Sequence, residues 1–324
     1  MSLTLSFSNV YIHQTGNFVG PMEFRGPLGI LFDGYSDDLY NKEKTYELAE
    51  RSMTLNAINN CLRKANLNQY HLKLMIGGDL LNQNMTTNYV ASVYDVSFVG
   101  LYSACANIGL SLIQASMYIE KGISPILCYT SSHNATAERQ FRYPLESGVK
   151  KKITTTFTAT GSAAFILSKD KSNIRISKAT IGKVIDYGLS DANDMGGAMA
   201  PAAYHSIMNH LKNTNQKFSD FDLIITGDLS KFGNQCLKKL FKEPSLDDCG
   251  LHLYDIKNQE VFQGGSGCAC SALVLSTMIL NEMKNKKLKH VLFCPTGALL
   301  SQTSINQKRT IPCICHVIEL EVVE

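Results

Sequence analysis

A cysteine in a turn of small residues, between an apolar strand and an uncharged helix, is placed as a nucleophile is. Cys105 stands this way in Tyr102-Ser-Ala-Cys105-Ala, after a strand over 97–101 and before a periodic apolar run over 108–120. The start of a helix offers unpaired N–H groups and a positive dipole end, which lower a thiol's pKa and cradle an oxyanion. The same position also suits a small buried hydrophobe that closes a helix–helix contact. His133 follows the strand beginning at Pro125, among Ser131, Ser132 and Asn134. In a layered α/β arrangement that strand's carboxyl end lies beside the Cys105 turn. His133 is there either a functional donor or base, or a loop histidine bonded to backbone. Two of the chain's seven arginines, Arg139 and Arg142, follow in the same segment, and a guanidinium matches a carboxylate fork better than an ammonium does. Asp79 and Asp228 each close an apolar run in Gly-Asp-Leu, where Asp caps the next turn or turns its carboxylate to a ligand. Cys268, in Gly265-Ser-Gly-Cys268-Ala-Cys270-Ser, completes the candidates.

These residues recur in pairs because the chain contains a duplication. Leu74-Met-Ile-Gly-Gly-Asp79-Leu returns 149 residues later as Leu223-Ile-Ile-Thr-Gly-Asp228-Leu. After each copy comes a small-residue turn with a cysteine, then an apolar helix (108–120 and 272–283), then a strand (125–130 and 291–296). Four elements in one order predict two related halves, residues 1–170 and 171–324. An amphipathic helix precedes each Gly-Asp-Leu: over 45–65, with Leu48, Met53, Leu55, Ile58 and Leu62 on one face, and over 201–213, with Pro201 in its first turn. Strands alternating with helices predict an α/β fold of two mixed sheets, with the Cys105 and Cys268 helices buried between them.

Composition excludes several classes. Hydrophobic residues make up 44% and charged residues 18%, the balance of a folded globular chain rather than a disordered or fibrous one. A net charge of +3 argues against a nucleic-acid partner, and the lysine runs at 150–152 and 284–289 are expected to be solvated faces. The ten cysteines have no zinc-ribbon spacing and several lie in apolar runs, so no structural metal and a reducing compartment are expected. The uncharged stretch 96–119 is long enough to cross a bilayer, yet Asn107, Gln114 and four serines predict a buried strand, turn and helix instead. No basic segment precedes Arg25, so no signal peptide is expected.

Duplicated halves with a cysteine on the central helix of the first resemble the thiolase and ketoacyl-ACP synthase III superfamily, and Thr156-Phe-Thr-Ala-Thr-Gly161-Ser-Ala-Ala-Phe-Ile-Leu is similar to its glycine-containing strand. Four longer motifs resemble a narrower family, the stage V sporulation protein AD group of endospore-forming bacteria. They are the segment from Thr130 through His133, Arg139 and Arg142 to Pro144, Asn193-Asp-Met-Gly-Gly-Ala-Met-Ala-Pro-Ala-Ala203, Gly264-Gly-Ser-Gly-Cys268-Ala-Cys270-Ser-Ala272, and Thr296-Gly-Ala-Leu-Leu-Ser301.

The resemblance implies a thiolase-like fold that binds dipicolinic acid (pyridine-2,6-dicarboxylate), alone or as its calcium chelate. It implies work with the small membrane subunits of the SpoVA complex, at the spore inner membrane, in loading the solute during sporulation and releasing it on germination. A homodimer paired through an edge strand of the first half is also implied, and no cofactor. Cys105, His133, Arg139, Arg142, Asp79, Asp228 and Cys268 become the expected ligand-binding set, with Asp79 and Asp228 as partners for the pyridine nitrogen or calcium. Condensing enzymes also need a histidine and an asparagine from the second half. Thr226-Gly227-Asp228 and Gly265-Ser-Gly-Cys268 stand where these should be. A non-catalytic binding subunit is therefore expected; an acyl-CoA-dependent acyltransferase or thioesterase using Cys105 is the alternative, and a purely structural docking subunit the third.

Overall fold

The computed structural model describes residues 2–243 and 245–323. Among the described residues eleven strands build its central sheet: a strand Leu3–Ser6, which pairs with Ile174–Ile181 at one side, and ten that fall into two sets of five. The first five are β1 (Tyr11–Val19), β2 (Leu74–Gly78), β3 (Phe98–Gly100), β4 (Ile126–Ser132) and β5 (Gly161–Ser168). The second five are β6 (Ile174–Ile181), β7 (Leu223–Thr226), β8 (Asp247–Asp248), β9 (His290–Cys294) and β10 (Val317–Val322). They lie in the orders β1-β5-β4-β2-β3 and β6-β10-β9-β7-β8. Within each set the first two pairings are antiparallel and the last two parallel. One order and one set of directions, used twice, is the duplication expressed as topology. The sheets were expected to be separate, but a bridge between Tyr11 and Arg175 joins them edge to edge.

The helices used below are α1 (Tyr46–Ala65), α2 (Asn107–Glu120), α3 (Asn134–Phe141), α4 (Met195–Thr214), α5 (Ser230–Phe241), α6 (Cys268–Val274) and α7 (Leu280–Lys284). A π turn, Leu275–Ile279, links α6 to α7. The expected buried layer is α2 together with α6. Ile108, Leu112 and Ile113 belong to one fully enclosed cluster with Ile126 and Phe165 of the first sheet and Ile225, Phe293 and Ile318 of the second. Burying each such side chain contributes about 1.5–3 kcal/mol. That is why helix α2 sits inside the protein, while Ser97, Gly100, Tyr102 and Met117 of the same uncharged stretch reach the surface. Among the described residues, no helix is long and apolar enough to cross a membrane.

Three local expectations are corrected. On α1 Met53, Ile58 and Leu62 of the expected face are buried together with Ala49, Ala57 and Cys61, while Leu48 is 39% exposed and Leu55 only partly buried. The helix lies so close to β1 that a Cβ at Gly16 would stand 2.2 Å from the Cys61 nitrogen, so small residues must face the sheet. Helix α4 starts at Met195, capped by Asp194 onto the Gly197 N–H (3.2 Å), and Pro201 lies inside it rather than in its first turn. Gly196 meets Gly233 of α5 at that end, a contact that only glycine allows. The alternating run over 311–318 is two strands, Cys313–Cys315 and β10, broken at His316.

Candidate functional site

Cys105 occupies a 3-10 turn, Ala104–Ala106, that runs straight into α2. Ala104 has φ +48°, a left-handed conformation that costs an L residue roughly 1–2 kcal/mol. The surroundings hold it there. The Cys268 thiol donates to the Ala104 carbonyl (3.1 Å), and Asn107 Nδ2 donates to the Asp79 carbonyl (3.1 Å) and to Cys268 Sγ (3.2 Å). Ser103 Oγ meets the buried His316 Nε2 at 2.9 Å. Cys268, placed by the duplication opposite Cys105, thus supports the turn.

The symmetry of Asp79 and Asp228 ends at their backbones. Asp79 accepts from the Leu81 N–H (2.8 Å), the Thr87 N–H (2.7 Å) and the Thr87 hydroxyl (2.5 Å), and is fully buried. It caps its own turn. In the second half that work falls to Asp248, which accepts from Thr226 Oγ1 and from the N–H groups of Leu229, Ser230 and Gly250, all at 2.7–2.9 Å. Asp228 is released from capping. It accepts from Thr296 Oγ1 (2.8 Å) and the Gly267 N–H (3.0 Å) and is set against the Cys105 thiol. Burial raises its carboxyl to about 7, and burial followed by the Asp228 charge pushes the Cys105 thiol well above its ordinary value. The expected activation by the helix dipole is outweighed, because desolvation of a fully buried thiolate exceeds what one helix end returns.

The structure brings Arg142 to this site and leaves His133 and Arg139 out of it. His133 is fully buried. Its Nδ1 accepts from the Ala135 N–H (3.2 Å) to cap α3, and its Nε2–H donates to the Leu39 carbonyl (2.8 Å). Both nitrogens are spent, and burial lowers the ring to about 4, so it is neither a cationic donor nor a free base. Arg139 is half-exposed in an ion pair with Glu47. Arg142 is 6% exposed; its Nη2 pairs with Glu138 Oε1 at 3.0 Å, and its Nη1 has no partner among the described residues. It lines a cavity of about 20 Å³ with Leu80, Tyr102, Cys105, Ala137 and Phe141, and is the one charged side chain among the described lining residues. That volume holds a water and no more.

The family described as Stage V sporulation protein AD matches residues 2–321. Stage V sporulation protein AD of Bacillus subtilis (strain 168) is 45% identical over 319 residues, covering 96% of this chain and 94% of that protein. The chain belongs to the Stage V sporulation protein AD family. Solved structures place the fold. A 3-oxoacyl-[acyl-carrier-protein] synthase III from Aquifex aeolicus VF5 is similar with a TM-score of 0.61 at 14% identity, over 96% of this chain and 99% of that one. An OleA variant from Xanthomonas campestris is similar with a TM-score of 0.62 at 14% identity, over 98% and 99%. The fold is thiolase-like.

Three functional neighbours in this SpoVAD-family chain escape a reading of the sequence. Asp248 lies on β8, whose counterpart β3 carries no carboxylate. Ser103 and His316 sit 213 residues apart and meet only because β10 ends under the Cys105 turn. Two further histidines, far apart in sequence, also come together: His210 Nε2 (3.2 Å) and His290 Nε2 (2.8 Å) both bond the buried Glu319. Glu321 completes a group with metal-ligand spacing, but Lys178 and Arg175 already pair with the two carboxylates. The network is neutralised from within.

Proposed function

We propose that this chain is a non-catalytic, thiolase-fold subunit that binds dipicolinic acid and supports its uptake into the developing spore and its release on germination. The observation that carries the reading is at the Cys105 cavity: the Asp228 carboxylate stands against the thiol, and Arg142, which keeps an unpartnered guanidinium nitrogen, lines the same cavity as Cys105. A thiol raised far above its ordinary value is a poor nucleophile, and Asp228 repels the oxyanion that acyl transfer would build. A dicarboxylate, by contrast, finds a charge-assisted donor in Arg142 Nη1 and, once Asp228 takes a proton, a second donor.

The cavity must widen to admit the ring, so binding is coupled to a local opening. The chain acts from a peripheral position on the spore inner membrane, held by the small membrane subunits of the SpoVA complex and paired as a homodimer. Calorimetric titration with dipicolinate, isophthalate and picolinate tests the reading, with mass spectrometry of Cys105 after incubation with acyl-CoA. Saturable dipicolinate binding, weakened one to two decades by Arg142→Gln as loss of a contact worth about 1.5–3 kcal/mol requires, is expected without acylation. Time-dependent acylation of Cys105 would instead restore the acyltransferase or thioesterase reading. Failure of both would leave a structural docking subunit.

A further inference from the structure

Arg142 is a wall of two cavities. Beyond the one at Cys105 lies another of about 340 Å³, lined by Arg142, Glu138, Tyr143, Val149 and Lys150–Lys152. Pockets for small molecules run from about 300 Å³ upward, so a planar aromatic acid that the Cys105 cavity cannot hold fits here without rearrangement. The charges suit it. Lys151 Nζ lies 3.6 Å from Glu138 Oε2, which Arg142 Nε also contacts, and Lys152 pairs with Asp191 at 2.8 Å. Four cations against these two carboxylates leave two positive charges uncompensated among the described residues. Tyr143 and Val149 supply apolar surface beside them. Arg142, whose Nη1 is buried and unpartnered among the described residues, is shared with the inner cavity. The lysine run expected to be a plain solvated face therefore borders a concave site.

We propose that this cavity is an outer binding site for small aromatic dicarboxylates, from which Arg142 hands one carboxylate through to the Cys105 cavity. The inference rests on the dipicolinate reading above and adds an order of events to it. Clustered charge at the mouth of a cleft speeds capture by about tenfold or more and does so only while unscreened.

The test is stopped-flow binding of dipicolinate to the full chain at ionic strengths of about 0.01 M and 1 M, where the Debye length is about 30 and 3 Å. In the triple variant Lys150→Gln, Lys151→Gln, Lys152→Gln the on-rate should fall about tenfold at low salt and match the unaltered chain at high salt, with an off-rate changed less than about twofold. Lys150→Glu, at an exposed side chain that bears no fold contact, should lower the on-rate in the same salt-dependent way. Dipicolinate binding with on-rates equal in all three proteins at both ionic strengths overturns the outer site alone. Absence of any dipicolinate binding to the unaltered chain overturns it together with the reading on which it rests.

Discussion

Asp228 carries the pH dependence of the site. Its carboxyl, raised to about 7, is mostly ionised at pH 8 and mostly protonated at pH 6. A bound dicarboxylate keeps its charge over that range, since ordinary carboxyls titrate near 4. Affinity for dipicolinate should therefore rise about tenfold from pH 8 to pH 6, and Asp228→Asn should abolish that slope and bind about tenfold tighter than the unaltered chain at pH 8. Titrations at the two pH values check this; an unchanged slope in the variant contradicts it. Ala104 offers a second test. Glycine relieves its left-handed strain, so Ala104→Gly should gain about 0.5–1 kcal/mol in a denaturant titration. At this scale the sequence was legible in part. Cys105, Asp228 and Arg142 converge from positions spread over more than a hundred residues because motif and duplication pointed to each. His133 did not join them: its neighbours Ser131, Ser132 and Asn134 looked like a polar site, but the demand of α3 for a cap consumed its ring. Burial direction is not written in local composition.

Elements were legible where periodicity reflects one buried face and were blurred where close approach decides. The helices and strands around the Cys105 and Cys268 turns followed from their apolar runs. The inward face of α1 did so in part: Met53, Ile58 and Leu62 are buried, but Gly16 lets the helix sink onto β1 and brings Ala57 and Cys61 against it, while Leu48 is left at the surface. Gly16→Ala would drive a methyl into the Cys61 nitrogen and the Ala57 carbonyl, 2.2 and 2.4 Å from the new Cβ. Backbone cannot yield as a side-chain tip can, so the cost should be about 3 kcal/mol, read as a lowered denaturant midpoint. A wild-type midpoint would mean that α1 is free to move. The start of α4 was misplaced for a related reason: proline was taken as the first turn, whereas Asp194 capping and the Gly196–Gly233 contact extend the helix upstream of it.

Across the whole molecule, buried carboxyls set the response to pH. Burial raises Glu50 to about 8, Glu23 to about 7 and Asp248 to about 6, alongside Asp228. In each the folded state binds a proton more tightly than the unfolded chain, so stability is full below pH 4 to 5 as far as these groups go and is lost as pH rises through the folded values. The lowered rings of His133 and His316 act at the other end, removing stability as pH falls below about 6.5. Four raised carboxyls outweigh two lowered rings, so the melting temperature should decline from about pH 5 toward pH 8.5, and Glu50→Gln should make that decline shallower in scanning calorimetry. An unchanged decline would put Glu50 in its ionised form in the fold. The two-sheet, buried-helix plan was legible from the repeat, since one pattern used twice constrains every strand. The bridge that fuses the sheets was not, since one edge contact leaves no periodic mark. What the plan achieves is a closed cavity shared by Cys105 and Arg142, with the Asp228 carboxyl set against the Cys105 thiol. A crystal structure of the chain grown with dipicolinate tests that directly. The account predicts the ring in a widened Cys105 cavity, with one carboxylate on Arg142 Nη1 and the other against Asp228; a ligand bound elsewhere, or a Cys105 cavity still closed around Arg142 at saturating dipicolinate, would contradict it.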